Sequence, residues 1–216
     1  DISKGGALIW GDAEQLKLHK GSITWFPVAQ EKYWSVPLRG FRLGRNSTED
    51  LLHLLLPFER HPEDGPVMAS ADVELYQKAQ LILDSGTTFF TAPQRLFNKI
   101  TTVMEPTSCH HIHVFPDLVF TVGTDLRNFS AVHELVVPPE VYMVRDPFDH
   151  HCEPGFMNLA ALPQDPPMMI LGEVFMRHFL SIYRRGQMKG DSWVGVAPAK
   201  SDPESEALLQ RGSYAA

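Results

Sequence analysis

The stretch that decides the fold is Leu81-Ile82-Leu83-Asp84-Ser85-Gly86-Thr87-Thr88. Three apolar residues in a row read as a short buried strand, and Asp-Ser-Gly reads as the turn that ends it. The strand delivers one carboxylate, Asp84, into a turn where Gly86 lets backbone approach closely. Hydroxyls at Ser85, Thr87 and Thr88 stand within reach of that carboxylate or of a bound peptide backbone. An Asp in a plain β-turn after a strand has the same local sequence, so the remainder of the chain has to decide between the two.

Outward from that turn, further strands are expected at Ala7–Trp10, Ser22–Val28, Tyr33–Leu38, Leu118–Val122, Glu134–Val137, Val141–Val144 and Phe179–Tyr183. They are short, rich in β-branched and aromatic residues, and bounded by Gly and Pro. Helices are expected at Pro93–Val103, at Leu171–Arg177, and from Ser47-Thr48-Glu49-Asp50 through Leu51–Leu56. Many short strands and few helices predict an all-β chain with minor helices. Arg39 to Gly65 reads as a polar excursion around that last helix, and residues 200–216 as a flexible tail.

The chain has 216 residues, enough for one large domain with a real core. Its net charge is −7 with no basic stripe, which excludes binding nucleic acid by phosphate neutralisation. The apolar runs Leu51–Leu56 and Met168–Leu171 are far shorter than the roughly 20 residues that cross a bilayer. Asp1-Ile2-Ser3-Lys4 does not read as the start of a signal peptide. Cys109 and Cys152 are the two cysteines, open to a disulfide, to buried thiols or to a metal site, and neither lies in a C-x-x-C pair. Asn46-Ser47-Thr48 and Asn128-Phe129-Ser130 are N-glycosylation sequons. With the even cysteine count they point toward the secretory route.

Seven blocks in order, over about residues 5–198, resemble the pepsin family of aspartic proteases, and specifically its C-terminal lobe. Gly21–Val28 with Tyr33-Trp34 is similar to the opening of that lobe. Asp84-Ser85-Gly86-Thr87-Thr88 with Thr91-Ala92-Pro93 is similar to its catalytic block. Ser108-Cys109 with Pro116–Phe120, Pro138-Pro139 with Tyr142, Cys152 with Gly155-Phe156, Ile170–Phe175 and Val194–Pro198 follow. The resemblance implies the C-terminal lobe of the bilobal acid protease fold over residues 1–199, with an insertion at about 39–65. It implies that Asp84 is one of two catalytic aspartates and that Gly86, Thr87, Thr88, Tyr33 and Ile170 bind substrate. It further implies a Cys109–Cys152 disulfide, peptide or protein substrates, and neither metal nor organic cofactor. The location it implies is secreted or lumenal: the secretory pathway, an acidic vesicle or a vacuole.

The departures from the family pattern carry weight too. No second Asp-[Ser/Thr]-Gly occurs in the 216 residues, so an N-terminal lobe, from the same precursor or a second chain, is the expected partner. Symmetric self-pairing fits less well, because the insertion and the tail would crowd a two-fold axis. The strand near the end reads Ile182-Tyr183-Arg184 where the family has Phe-Asp, and Glu173 stands where Asp is common. A binding or inhibitor protein without a competent dyad is therefore the alternative.

Five of the ten histidines, His110, His111, His113, His150 and His151, flank the cysteines. A solvated, weakly coupled set is the plainest reading, beside a pH sensor or a His-only metal site. Full protonation of all ten would move the formal charge from −7 to +3.

Overall fold

The computed structural model describes residues 8–11, 18–55, 77–148, 151–159, 166–188 and 190–200. All but Lys200 of the expected tail at 200–216, and most of the segment between Leu55 and Gln77, lie outside these residues, as do Ala7, Leu56 and His150.

Along β3 (Gln80–Leu83) successive side chains point to opposite faces, as in any strand. Leu81 and Leu83 enter the main core, whereas Ile82 enters a small separate cluster with Leu159, Met168 and Ile170. β3 is the middle strand of a seven-stranded mixed sheet. On one side it pairs antiparallel with β2 (Ser35–Leu43), which pairs with β6 (Leu118–Gly123) and that with β7 (Val132–Val137). On the other side it pairs parallel with β11 (Met168–Leu171), followed by β4 (Phe90–Ala92) and β10 (Phe156–Asn158). A second sheet carries β13 (Trp193–Pro198) between β1 (Thr24–Pro27) and β12 (Phe179–Arg184). Phe26, Val194 and Val196 of that sheet join the main core.

Helix α1 (Gln94–Val103) starts directly after Pro93, where a proline costs no helical hydrogen bond. It lays Leu96 and Ile100, four residues apart, on the core. β5 (Thr107–Ser108), β9 (His151–Pro154) and β8 (Met143–Arg145) form a small third sheet. Thr107 lies opposite Cys152, and the disulfide Cys109–Cys152 closes that sheet, as the resemblance implied. A loop of this length constrains the unfolded chain by roughly 4 kcal/mol in the chain-entropy account.

Four expectations are corrected. Val141 and Tyr142 are helical, in the short α2 (Pro139–Tyr142), and only Met143 and Val144 belong to a strand. Pro139 at the first helical position sets that start, and burial of Val141 and Tyr142 is equally compatible with a strand. Between Ser47 and Leu55 only Leu52–Leu55 winds, as a 3-10 turn. Asp50 Oδ1 accepts from the N–H of both Phe41 and Leu52 at 3.0 Å, which anchors the turn on β2 instead of starting a long helix. Tyr33 and Trp34 form a turn, and β2 runs on to Leu43, so the segment expected as an excursion from Arg39 begins inside the sheet. Leu8–Trp10 are not strand, and Leu8 and Trp10 are exposed.

Tyr142 is fully buried and donates its hydroxyl to Pro116 O at 2.5 Å. Burial, aided by the charges of Asp117 and Glu140, pushes its phenol far above the usual range. Burial likewise raises Tyr183, with Asp84 adding to the effect. Because both folded values lie above the unfolded value, this contribution to stability is complete below about pH 10 and declines as pH rises beyond it. Urea unfolding between about pH 8 and 11.5 should show that decline. Tyr142→Phe should be flatter over the same range, starting about 1 kcal/mol lower at about pH 8.

Candidate active site

Asp84 leaves the end of β3 on the face of Ile82, away from the main core, and is partly buried. Two neighbouring segments hold its strand end. Asp84 N–H donates to Leu171 O at 3.1 Å, and Leu83 N–H donates to Trp34 O at 3.0 Å. Both carboxylate oxygens are engaged within the turn. Oδ1 accepts from Gly86 N–H at 3.0 Å, and Oδ2 accepts from the Thr87 hydroxyl at 2.6 Å. These bonds fix the orientation of the carboxylate.

The turn is in turn fastened to α3 (Glu173–Met176), whose backbone begins where β11 stops. Glu173 N–H donates to Thr87 O at 2.7 Å, and Val174 N–H to Thr88 O at 3.0 Å. This approach requires glycine between β11 and α3. A Cβ at Gly172 would lie 2.4 Å from the carbonyl oxygens of both Thr87 and Phe89. The expected helix at Leu171–Arg177 is thus shorter: Leu171 ends β11 and Gly172 is the joint.

The residues expected to bind substrate divide into three groups. Gly86 and Thr88 are exposed next to Asp84, while the Thr87 hydroxyl is committed to the carboxylate. Tyr33 is 42% exposed in the turn preceding β2, one residue from the Trp34 carbonyl that ties this turn to β3. Ile170 is only 7% exposed, lies opposite Ile82, and shares the small cluster on the face from which Asp84 emerges. Glu173, whose N–H meets Thr87 O, pairs its carboxylate with Arg177 at 2.7 Å.

Sequence reasoning missed Tyr183. Its ring packs on Trp34 with centroids 5.1 Å apart, and its phenol feels the charge of Asp84. The departure from Phe at that strand position was the available signal. Arg184, the next residue, stacks its guanidinium on Trp25 at 4.2 Å.

Two surface cavities lie elsewhere. One, of about 390 Å³, is lined by Arg39, Arg42, Arg45 and Asp50 among others; the second, of about 360 Å³, by Pro106, Asp146, His151 and Glu153. His111 and His113 have ring centroids 6.5 Å apart, and His151 lies opposite Ser108. Among the described residues no group of three or more His, Cys, Asp or Glu could hold a metal ion. No described helix is long and apolar enough to cross a membrane.

Comparison with known proteins gives the same answer from another direction. Residues 1–199 match the family model of the eukaryotic aspartyl proteases. Cathepsin E of Rattus norvegicus is 26% identical over 189 residues, covering 83% of this chain and 38% of the relative. Plasmepsin IX of Plasmodium falciparum is 26% identical, covering 96% and 38%, and gastricsin of Homo sapiens 27%, covering 91% and 43%. The chain spans about two fifths of the length of these relatives. A mostly β chain carrying Asp-Ser-Gly-Thr on a central strand end, matched over residues 1–199, belongs to the eukaryotic aspartyl protease family.

Proposed function

We propose that this chain is the C-terminal lobe of a bilobal aspartic endopeptidase, in which Asp84 forms a catalytic dyad with an aspartate from an N-terminal lobe. That lobe comes from the same precursor or from a second chain. The observation that carries the reading is the hold on Asp84, whose two oxygens are fixed by Gly86 N–H and the Thr87 hydroxyl at the end of a central strand. Asp carboxylates also hold structural turns, as Asp125 does, and the family match over residues 1–199 is what directs the hold on Asp84 toward chemistry. The single Asp-[Ser/Thr]-Gly in the sequence and the partial coverage of the relatives support the second lobe.

In the assembled enzyme two carboxyl groups share one proton, because like charges at close range do not both ionise. The ionised member takes a proton from a water lying between them as that water attacks the scissile carbonyl. The protonated member donates to the developing oxyanion. Breaking the C–N bond returns a proton to the leaving amine. On this lobe Thr87 keeps the Asp84 carboxylate turned toward the water. Gly86 and Thr88 hold extended substrate backbone, Tyr33 lines the primed side, and Ile170 contributes to an apolar pocket. The substrates are extended peptides cut at apolar residues, in an acidic secretory or vesicular compartment.

The test is peptide turnover by the full precursor at acidic pH, with and without a statine-type transition-state mimic. Turnover blocked by the mimic is expected, since tight binding of that group needs both carboxyls. An assembled protein that binds peptide but neither cleaves it nor binds the mimic would be a binding or inhibitor protein instead.

A further inference from the structure

We infer that Asn128 is an N-glycosylation site and that its sugar covers the tip of the β6–β7 hairpin. Asn128, Phe129 and Ser130 are all exposed there. The turn is closed by local bonds. Asp125 Oδ1 accepts from Arg127 N–H at 2.7 Å and Asn128 N–H at 3.1 Å. Asn128 Oδ1 accepts from Ser130 N–H at 3.1 Å, and Asn128 O accepts from Ala131 N–H at 3.1 Å. Every partner lies within 125–131, so this conformation can form while the rest of the chain is still unfolded. That is the state in which a glycosyl transferase meets a growing chain.

The second observation is apolar. Leu126, Phe129 and Val132 are 45%, 41% and 43% exposed at this one tip. The Arg39 guanidinium stacks on the Phe129 ring at 4.2 Å and donates to Gln77 O at 2.7 Å, which holds the tip against the sheet but leaves the rest of it bare. Exposed apolar groups gathered in one place mark a surface that something covers. A sugar rooted at Asn128 presents C–H faces to these side chains and hydroxyls to water. The Cys109–Cys152 disulfide agrees with folding in the oxidising compartment where this modification is made.

The donor is an oligosaccharide on a lipid diphosphate. Nδ2 of Asn128 forms a bond to the sugar C1, the C1–O bond to the diphosphate breaks, and the diphosphate leaves with the electron pair. The amide loses one N–H proton. Asn46, the other sequon, is also exposed but differs in setting. It borders the polar cavity with Arg39, Arg42 and Arg45, and Ser47 N–H donates to Gly44 O at 3.2 Å.

The experiment expresses the full precursor in a eukaryotic secretory host and removes glycans enzymatically in heavy-oxygen water, which marks each former site by mass. The mark is expected on Asn128 in most of the secreted protein. Asn128→Gln and Ser130→Ala should each lose the mass of one glycan, and Ser130→Thr should keep it. The unglycosylated protein should bind more of a fluorescent apolar dye. An unmarked Asn128 in secreted, disulfide-bonded parent protein would overturn the assignment, as would a mark confined to Asn46.

Discussion

Asp84→Asn is expected to fold like the parent and to lose peptide cleavage by about 10⁴-fold or more in the assembled enzyme, the scale seen when a group acting at bond-making is removed. The amide keeps the shape of the carboxylate, and its oxygen can still accept from Gly86 N–H or the Thr87 hydroxyl. It cannot take the proton of the water or share one with a partner carboxyl. Unfolding midpoints close to the parent, together with the loss of turnover, would assign the effect to chemistry. Retained turnover at the parental rate would remove Asp84 from the reaction. Binding of peptide substrate should survive, since the atoms proposed to hold it belong to neighbouring residues.

Gly172→Ala is expected to fail for a different reason. The added Cβ meets two backbone carbonyl oxygens, Thr87 O and Phe89 O, each at 2.4 Å, and no rotation of a side chain relieves either contact. The Asp-Ser-Gly turn must then move away from α3, breaking the bonds from Glu173 N–H and Val174 N–H. A cost of about 3 kcal/mol is expected, which lowers the thermal midpoint by roughly 6–12 °C for a chain of this size. Turnover in the assembled enzyme should fall with it. Gly155→Ala is the informative comparison, because its nearest neighbour is a side-chain atom, Val144 Cγ2 at 2.6 Å, and the nearest backbone oxygen, Tyr142 O, stands farther off at 3.1 Å. A Gly172→Ala protein as stable as the parent would show that the turn is not seated as tightly as described.

Features written into contiguous residues were legible in the sequence. Leu81-Ile82-Leu83 followed by Asp-Ser-Gly marked a strand and its turn, and the hydroxyl at Thr87 was near enough to be weighed for Asp84. Pro93 marked the start of α1, because proline punctuates backbone whatever surrounds it. The disulfide came with the family resemblance, the cysteine spacing alone being ambiguous. Of the strands that went unread, β4, β5, β9, β10 and β11 have two to four residues and no room to display a period, and β13, six residues long, was met only as a block of the family resemblance. Glu173 pairs with Arg177 one helical turn on, a contact that the expected helix at Leu171–Arg177 already places on one face. Tyr183 comes near Asp84 by packing on Trp34, in a turn far away in the chain, and no local pattern encodes that.

The parallel pairing of β3 with β11 has a consequence for synthesis. Asp84 emerges from the ribosome long before Leu171 and Glu173, the residues that fasten its turn. Parallel partners so far apart in the chain pair late, since the connecting loop must close before any contact rewards it. A nascent chain that ends short of Leu171 therefore holds the Asp-Ser-Gly turn without the β11 and α3 backbone that fastens it. Seating of this turn waits until residues 168–174 have been made, so a product terminated before them should be unstable.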